Sequence, residues 1–490
     1  MSNYEPVIGL EIHVQLNTKS KMFCRCGTDY RDDLPNTHCC PTCLGLPGAL
    51  PVPNKKAIQD VILMGLALDC EINKNSYFAR KNYFYPDLPK GYQITQYDKP
   101  FCHDGKLVVN DKTVGITRIH LEEDTGKSMH ITEKGGEEYT LLDFNKSGIP
   151  LMELVTEPDF RKAEDVFDFA KKIRQIVRYL DISDGDMEKG NLRVEPNISV
   201  RKVGEKGLPK YKVEIKNLNS FTSLKRGVEF EVKRQISILE KGEIPIQETR
   251  GWNDDKQSTY TQRIKEEAHD YRYFPEPDIP PIELKESKQA KDNTDEIYLD
   301  EIRNKLPELP NIKVGRFVKD FGITEYDAQV LTEEIEIAKW FEESVKSLKD
   351  KKHGKKVANW IITEIMGSSQ YQLSGVNKLK IQPLQLADLV TNVEDGKISR
   401  PSGKEILNIL LTEGGDIEEI IQNKGLEQVS DTGALEEVVK KVIVANPKPV
   451  ADYKVGKKAS LQFLIGMVMR ETKGKADVKI VNQKLTELLG

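Results

Sequence analysis

The sequence lacks the short motifs that mark the common nucleotide-binding and hydrolytic enzymes. It contains no Gly-x-Gly-x-x-Gly, no His-Glu-x-x-His and no Gly-x-Ser-x-Gly, which argues against a dinucleotide fold, a zinc-protease helix and a serine-hydrolase elbow. Gly126-Lys-Ser128 looks like the end of a phosphate loop, but position 121 is leucine where that loop needs its first glycine. Any chemistry on nucleotides must therefore use residues that are far apart in the sequence.

The sequence has no long apolar run, and we expect no leader segment. No stretch approaches the roughly 20 apolar residues of a membrane span, and residues 1–6 have neither a basic region nor an apolar core. We therefore expect a cytoplasmic protein with no membrane partner. With 490 residues, 31% of them charged and 38% hydrophobic, the chain should form about two to four domains.

Cysteine is scarce, yet five of the seven cysteines lie close together near the N terminus. Cys24 and Cys26 form one pair, Cys40 and Cys43 form a second, and Cys39 is an extra neighbour. Two close pairs joined by a short loop can bind one tetrahedral zinc ion through four thiolates. Free thiols, or two disulfides in a secreted domain, are the alternatives, and a cytosolic setting favours the metal. Because four ligands close the coordination sphere, we predict a structural zinc site.

A strand directly before these cysteines carries candidate catalytic residues. Apolar and polar residues alternate from Leu10 to Leu16, which is the period of a half-buried strand and puts Glu11 and His13 on one face. Their partners could be the acidic residues 122–124 and Glu153. Glu153 has apolar neighbours in the sequence, so burying its carboxylate would be costly unless it is paired or bound to a metal. Several carboxylates with a histidine suit magnesium that holds a nucleotide's phosphates. Alternatively, residues 122–124 only form the end of a strand in solvent and bind no metal.

Hydrophobic periodicity predicts an α+β fold with separate parts. In the first 280 residues alternating runs predict strands with a few helices, among them Asn54–Cys70 and about Lys162–Leu180. Phe274–Pro281 should continue neither a ladder nor a helix, because it is rich in proline. The spacing is helical beyond residue 294, and proline and glycine mark a further boundary near residues 397–403. The predicted domains are therefore 1–293, 294–400 and 401–490.

Charge is unevenly distributed along the chain. The formal net charge is −5, yet residues 438–484 hold eleven Lys and Arg against three Asp and Glu. A basic end module on an acidic body suggests contact with a polyanion such as nucleic acid. A lysine-rich soluble surface explains the charge equally well.

Several long stretches match one family of proteins. They are Val7–Val14, Arg80–Asp87, His120–Asp124, Ser183–Gly190, Lys216–Phe221, Asp270–Asp278, Phe463–Gly466 and Lys473–Ala476. Through them the chain resembles, from end to end, the B subunits of aspartyl/glutamyl-tRNA amidotransferases. The resemblance implies an N-terminal cradle domain with a mixed or antiparallel sheet, an all-α helical domain and a small helical tail domain.

The resemblance also implies an activity. The B subunits of this family use ATP to phosphorylate the side-chain carboxylate of Asp or Glu wrongly attached to tRNA-Asn or tRNA-Gln. Ammonia from the glutaminase, which is the A subunit, then displaces the phosphate, and the small C subunit wraps the other two. This division fits the lack of a glutaminase nucleophile here. A magnesium ion would be held by Glu11, His13, Glu123 and Glu153; the resemblance favours Glu123 over Glu122, between which strand parity could not choose.

Further roles follow from the same resemblance. Residues expected along a polar ammonia channel are Lys81, Tyr83 and Lys90. Zinc at the four cysteines would be structural, because some family members have lost the site. Lysines expected in the tRNA-binding tail are Lys457, Lys458, Lys473 and Lys475. Many members have Asp where this chain has Glu195, so a nucleotide-side role for this longer carboxylate stays open. The alternative function is a zinc-stabilised tRNA-binding adaptor without catalysis, which the missing phosphate loop and the basic tail favour.

Overall fold

Alternating apolar and polar residues build the first part of the chain around one large sheet. The computed structural model describes residues 3–133, 135–264, 271–288, 296–348, 351–428, 432–472 and 474–490. The chain divides into two units, Met1–Leu309 and Pro310–Gly490.

The first unit contains strands and a few helices. Its strands are Tyr4–Gln15 (β1), Glu71–Ile72 (β2), Asn75–Ser76 (β3), Ala79–Asn82 (β4), Tyr92–Thr95 (β5), Cys102–Val109 (β6), Lys112–Glu123 (β7), Lys127–Thr132 (β8), Glu138–Asp143 (β9), Pro150–Thr156 (β10), Leu192–Lys202 (β11), Val213–Lys216 (β12), Glu248–Asn253 (β13), Ser258–Ile264 (β14), Phe274–Pro275 (β15), Ile282–Lys285 (β16) and Ile297–Tyr298 (β17). Its helices are Lys55–Ala67 (α1), Ala163–Tyr179 (α2), Phe221–Glu240 (α3) and Leu299–Arg303 (α4).

The main sheet has β1 near its centre. Within the described residues it holds nine strands in the order β14-β13-β12-β11-β1-β10-β7-β6-β2. β1 pairs antiparallel with both β10 and β11, while β12 and β13 are parallel. Leu10, Ile12 and Val14 of β1 are fully buried in an apolar core that also contains the inner faces of α1, α2 and α3. The alternate residues of β1 therefore lie on the opposite, polar face of the sheet.

The two helices predicted in this unit are confirmed, with ends one to three residues inside the predicted ones. α1 begins after Asn54, whose side chain accepts hydrogen bonds from the N–H groups of Lys56 and Ala57 and so caps the helix. The expectation that Phe274–Pro281 joins no ladder is wrong at its first two residues. Phe274 and Pro275 pair with Arg80 and Ala79 of β4, which proline tolerates at a sheet edge because no N–H is needed there.

The second unit is helical in its described residues. Its α-helices are Pro310–Phe321 (α5), Glu325–Thr332 (α6), Ile335–Lys346 (α7), Gly354–Trp360 (α8), Ser369–Ser374 (α9), Pro383–Glu394 (α10), Arg400–Thr412 (α11), Ile417–Lys424 (α12), Thr432–Ala445 (α13), Pro447–Lys454 (α14), Lys458–Glu471 (α15) and Val478–Leu489 (α16). Short 3₁₀ turns cover Lys351–His353 and Val376–Lys378, and a π-helical turn covers Ile361–Ile365.

The predicted α+β class is confirmed, since a mixed sheet is followed by helices. Trp340, Phe341 and Trp360 are buried in an apolar core of the second unit, as their helical spacing indicated. A separate apolar cluster surrounds Leu435 and Val468. The domain boundaries at residues 293 and 400 stay a prediction. None of the described helices combines the length and the apolar character needed to cross a bilayer.

Candidate functional site

The polar face of the main sheet brings histidine and glutamate side chains together from three neighbouring strands. His13 on β1 lies opposite Glu153 on β10, and Glu153 lies opposite His120 on β7. Directly opposed residues share a face. Nε2 of His13 lies 3.6 Å from carboxylate oxygens of both Glu122 and Glu153, and Nε2 of His120 lies 3.3 Å from Glu153. We call His13, Glu122 and Glu153 the carboxylate–histidine cluster.

Burial and mutual charge shift the pKa values within this cluster. Burial alone would lower the pKa of His13, but Glu153 and then Glu122 raise it to about 9. Burial, followed by the charge of Glu153, raises the pKa of Glu122. Burial also opposes ionisation of Glu153, yet His120 and His13 hold the pKa of Glu153 well below its usual value. Burial and the charge of Glu153 thus oppose the ionisation of Glu122, and a bound divalent cation would offset this repulsion.

The donor atoms of the cluster suit such a cation. One ligand atom from each of His13, Glu122 and Glu153 lies within 4.8 Å of the others. Nδ1 of His13 and Nδ1 of His120 are buried, and neither has a hydrogen-bond partner among the described residues. Carboxylate oxygens are the preferred ligands of magnesium, and imidazole is compatible with several divalent ions. The donor atoms of His13, Glu122 and Glu153 therefore fit a magnesium ion, and the role of these residues as its ligands stays a prediction.

Glu11 lies beside this cluster but belongs to a second carboxylate group. Potential ligand atoms of Glu11, Glu195 and Glu214 lie within 4.8 Å of one another. Burial and then the charge of Glu153 raise the pKa of Glu11, so the two groups are within electrostatic reach. Lys216 Nζ lies 2.8 Å from Glu195 and 3.2 Å from Glu214. Sequence reasoning gave no role to Glu214. The alternation of charged and apolar residues along β12, which puts Glu214 on the charged face, was a usable signal.

Among the described residues, Glu123 belongs to neither of these two groups of potential ligands. Successive residues of a strand point to opposite faces, and Glu122 takes the polar face of β7. The Glu123 carboxylate instead contacts Lys90 Nζ and accepts a hydrogen bond of 3.0 Å from the backbone N–H of Ile94. The role of Glu123 as a metal ligand, which the resemblance implies, stays a prediction, and the convergence of Glu122 with His13 and Glu153 makes Glu122 a second candidate.

A cavity of about 200 Å³ lies on the Glu123 side of the sheet. Its lining includes Lys90 and Glu123 together with Lys21, Cys24 and Cys43. The pair Lys90 and Glu123 therefore shares a cavity with the cysteine-rich segment.

The four predicted zinc ligands converge, and Cys39 stays outside their set. Sγ atoms of Cys24, Cys26, Cys40 and Cys43 lie within 4.8 Å of one another. We call these four residues the cysteine clamp. The Cys40 N–H donates to Cys43 Sγ at 3.2 Å. The hydrogen bond from Cys24 lowers the pKa of the Cys43 thiol to about 4. Four convergent sulfur donors fit tetrahedral zinc, and occupancy by the ion stays a prediction.

A buried lysine that sequence reasoning missed supports the clamp. Lys21 is 0% exposed. Its Nζ donates to the carbonyl oxygens of His38 at 2.7 Å and Phe144 at 3.2 Å, and lies 3.8 Å from Cys43 Sγ. A cation here offsets the negative charge of the thiolates. No local sequence signal distinguishes this lysine from the many exposed ones.

The three residues predicted along a channel are linked to Glu123 and to the cluster by contacts and charge. Tyr83 OH donates to the Gln93 side chain at 3.4 Å, and the Gln93 amide donates to the Glu123 carbonyl at 2.8 Å. Lys81 Nζ lies 5.8 Å from the centre of the Tyr83 ring. Burial lowers the pKa of Lys81, but the charge of Glu122 and other groups raises it overall. Contacts thus run from the pair of Lys90 and Glu123 to Lys81, while passage of ammonia stays a prediction.

The tail lysines lie in or next to the last helices. Lys457 precedes α15, is mostly exposed and pairs with Asp452 at 2.9 Å. Lys458 begins α15, and Lys475 lies between α15 and α16. Lys473 lies outside the described residues. Contact with tRNA stays a prediction for all four.

Two family models together match most of the chain. A family model described as the GatB/GatE catalytic domain matches residues 6–290, and one described as the GatB domain matches residues 339–489.

Three named relatives match over almost their full length. A protein of Caldicellulosiruptor bescii, named as the B subunit of aspartyl/glutamyl-tRNA(Asn/Gln) amidotransferase, is 47% identical over 493 residues, which cover 99% of each chain. Proteins of the same name are 47% identical over 494 residues in Thermotoga maritima, with 99% of each chain covered, and 46% identical over 501 residues in Dehalococcoides mccartyi, with 100% of this chain and 99% of the relative covered.

Proposed function

The chain belongs to the family of aspartyl/glutamyl-tRNA(Asn/Gln) amidotransferase B subunits, and we propose that it activates a mischarged aminoacyl-tRNA with ATP. The substrate is Asp on tRNA-Asn, Glu on tRNA-Gln, or both. The observation that carries the proposal is the buried carboxylate–histidine cluster on the open face of the main sheet.

The chemistry requires activation of the side-chain carboxylate. Ammonia cannot displace oxide from a free carboxylate, so a carboxylate oxygen first attacks the γ-phosphorus of ATP and ADP leaves. Nitrogen then attacks the acyl carbon of the acyl phosphate, inorganic phosphate departs with the former carboxylate oxygen, and an amide remains. The nitrogen loses its surplus protons to a base. Both steps are balanced by ATP and ammonia alone.

The side chains of the cluster would bind and orient the phosphates. Magnesium held by His13, Glu122 and Glu153 would supply positive charge to the phosphoryl oxygens. Glu153 keeps His13 in place on one side and His120 on the other. The neighbouring carboxylates of Glu11, Glu195 and Glu214 offer a second place for a cation, and Lys216 offers a fixed positive charge there.

The Glu123 side of the sheet would deliver the nitrogen. Glu123 is buried, contacts Lys90 and lines the cavity next to the cysteine clamp. Its carboxylate would take a proton from ammonium, and Lys90, Tyr83 and Lys81 would form the polar path toward the cluster. This division gives Glu122 and Glu123 different tasks on the two faces of one strand.

The remaining assignments concern partners and the second metal. The glutaminase, as the A subunit, would supply the ammonia, the small C subunit would hold the two larger ones together, and the basic tail would contact the tRNA. The cysteine clamp would hold zinc as a structural ion, because four sulfur ligands leave no position for a substrate.

A reconstituted assay tests the proposal. The chain is combined with the A and C subunits, and each mischarged tRNA is added separately with ATP, magnesium and glutamine. We expect release of inorganic phosphate that depends on the mischarged tRNA, together with conversion of the attached acid to its amide. Salt-sensitive tRNA binding without phosphate release would instead indicate a non-catalytic adaptor.

A further inference from the structure

We propose that a row of tyrosines next to the carboxylate–histidine cluster stacks the unpaired bases at the acceptor end of the tRNA. The row consists of Tyr97, Tyr273 and Tyr271, and we call it the aromatic platform. This inference rests on the proposed function and adds to it the surface that holds the substrate while its side chain is activated.

The platform is built from two chain segments that a small sheet brings together. Tyr97 follows β5, and Tyr271 and Tyr273 precede β15; β4 lies between these two strands in the sheet. The Tyr271 carbonyl accepts a hydrogen bond of 2.9 Å from the N–H of Asn82. The rings of Tyr97 and Tyr273 are stacked, with centroids 4.1 Å apart and planes within 9°. Tyr271 meets Tyr273 edge-on, with centroids 6.0 Å apart.

One end of this platform is exposed. Tyr97 is 54% exposed although one of its ring faces is covered by Tyr273, so the other face is available. Phe84 and Tyr85, in the loop between β4 and β5, are 87% and 53% exposed. Exposed aromatic residues that cluster in this way commonly mark a binding surface. Tyr85 connects to the Tyr271 end of the row through Tyr83, whose ring centroid lies 5.9 Å from that of Tyr85 and 6.1 Å from that of Tyr271.

The other end of the platform reaches the cluster. Lys81 Nζ lies 5.0 Å from the centre of the Tyr271 ring. The carboxylates of Glu122 and Glu153 both act on Lys81 and on Tyr273, as the causes of their pKa shifts show. Lys81 therefore borders the Tyr271 ring on one side and feels the charges of the cluster on the other.

The substrate has an unpaired base at the matching place. In a mischarged tRNA the amino acid is esterified through its α-carboxylate to the terminal ribose, and its side-chain carboxylate is free to react. A side-chain carboxylate at the cluster therefore puts the terminal base near the cluster, about one amino acid and one ribose away. Proteins hold unpaired bases by stacking them on aromatic side chains. The platform offers such a ring face, and the Lys81 charge next to the Tyr271 ring would attract the strand.

The adenine of ATP is the other base within reach, and the shape of the surface disfavours it. Nucleotide and cofactor sites are usually enclosed and bury most of their ligand. The platform is exposed at Tyr97, which is 54% accessible to solvent, and this suits the end of a single strand. We therefore assign it to the tRNA end and treat ATP as an outcome of the test.

Kinetics of the reconstituted complex separate these occupants. Tyr97→Ala should raise the KM for mischarged tRNA roughly tenfold, the expected loss of one base stack, with little change in kcat or in the KM for ATP. Tyr273→Ala should act in the same direction. Tyr97→Phe keeps the ring face and should restore the KM. Tyr326, a 72% exposed tyrosine on α6, provides a matched control as Tyr326→Ala.

Binding measurements provide the second readout. Removing the unpaired 3′ nucleotides from uncharged tRNA should weaken its binding to the wild-type complex. In Tyr97→Ala the same truncation should weaken tRNA binding much less, because the terminal base has already lost its stacking partner. This comparison needs no turnover, so it tests the platform even if the wild-type complex fails to release phosphate and the proposed function fails with it.

Three results would overturn the inference. A raised KM for ATP alone would assign the rings to adenine. Failure of Tyr97→Ala to assemble with the A and C subunits, while Tyr326→Ala assembles, would assign the surface to a protein partner. Equal truncation costs in wild type and Tyr97→Ala would show that no terminal base stacks on Tyr97.

Discussion

The cysteine clamp and the carboxylate–histidine cluster are two candidate metal sites built in opposite ways. All clamp residues come from one short segment, and four thiolates would surround a zinc ion completely. The cluster takes His13, Glu153 and Glu122 from three strands of the sheet and has only three protein donors in one group. The comparison teaches that local ligands make a closed, structural site, whereas distant ones leave room for substrate.

Loss of a clamp ligand should give the largest effect, and it should be on stability. Cys43→Ser should lower the free energy of unfolding of the first unit by about 4 kcal/mol or more, as expected when a structural metal is lost. Bound zinc, measured by metal analysis, should fall with it. Thermal unfolding of the full chain measures the change.

Cys39→Ser is the matched control for the clamp, because Cys39 is adjacent in sequence but outside the set of four. It should retain both zinc and stability. Equal destabilisation by the two substitutions, or full zinc content in Cys43→Ser, would remove the basis for calling the clamp a metal site.

Loss of a cluster residue should give the next largest effect, and it should be on activity. Glu153→Gln removes a donor atom and the charge that orients both His13 and His120. Phosphate release driven by mischarged tRNA should fall roughly 10²- to 10³-fold, the usual cost of one preorganised electrostatic contact. The unfolding temperature should change little.

The exposed Glu138 of β9 serves as the control for this experiment, as Glu138→Gln. Its phosphate release should match wild type. Should Glu153→Gln keep full activity, the cluster would be a structural feature of the sheet, and the contrast with the clamp would disappear.

The two adjacent glutamates sharpen the comparison within one strand. Glu122→Gln should lower tRNA-dependent ATP cleavage about 100-fold, because Glu122 lies on the face of the cluster. Glu123→Gln should leave ATP cleavage nearly intact but reduce amide formation from glutamine, because Glu123 lies beside Lys90 and the cavity. Parallel assays of phosphate and amide on both variants make the measurement. The reverse pattern would assign the metal to Glu123.

The same pair shows what the sequence could and could not predict. Cys24, Cys26, Cys40 and Cys43 were predictable because local spacing alone determines such a site. Pairing of His13 with Glu153 was a reasonable expectation from strand parity. The choice between Glu122 and Glu123 required the register of β7 against β10, which depends on contacts between residues far apart in the chain.

Fold prediction met the same limit. Strands, helices and core aromatics followed from periodicity, as α1, α2 and Trp360 illustrate. The strand order of the main sheet did not, since it is set by long-range pairing. The aromatic platform likewise joins Tyr97 with Tyr273 across a small sheet, and neither tyrosine has a local signature.

The smallest expected effect tests whether Lys21 belongs to the clamp. Its ammonium donates to two carbonyl oxygens and lies against Cys43 Sγ in the interior. Lys21→Met keeps the buried volume but leaves these acceptors without their donor, so the free energy of unfolding should fall by about 2 kcal/mol. Urea unfolding measures the change, and Lys233→Met, at an exposed position on α3, is the control. If the thiolates need this charge, a zinc-competition titration should also show weaker retention of zinc by Lys21→Met. Unchanged zinc retention with reduced stability would assign Lys21 to the carbonyl oxygens alone, and the clamp would then be electrostatically self-sufficient.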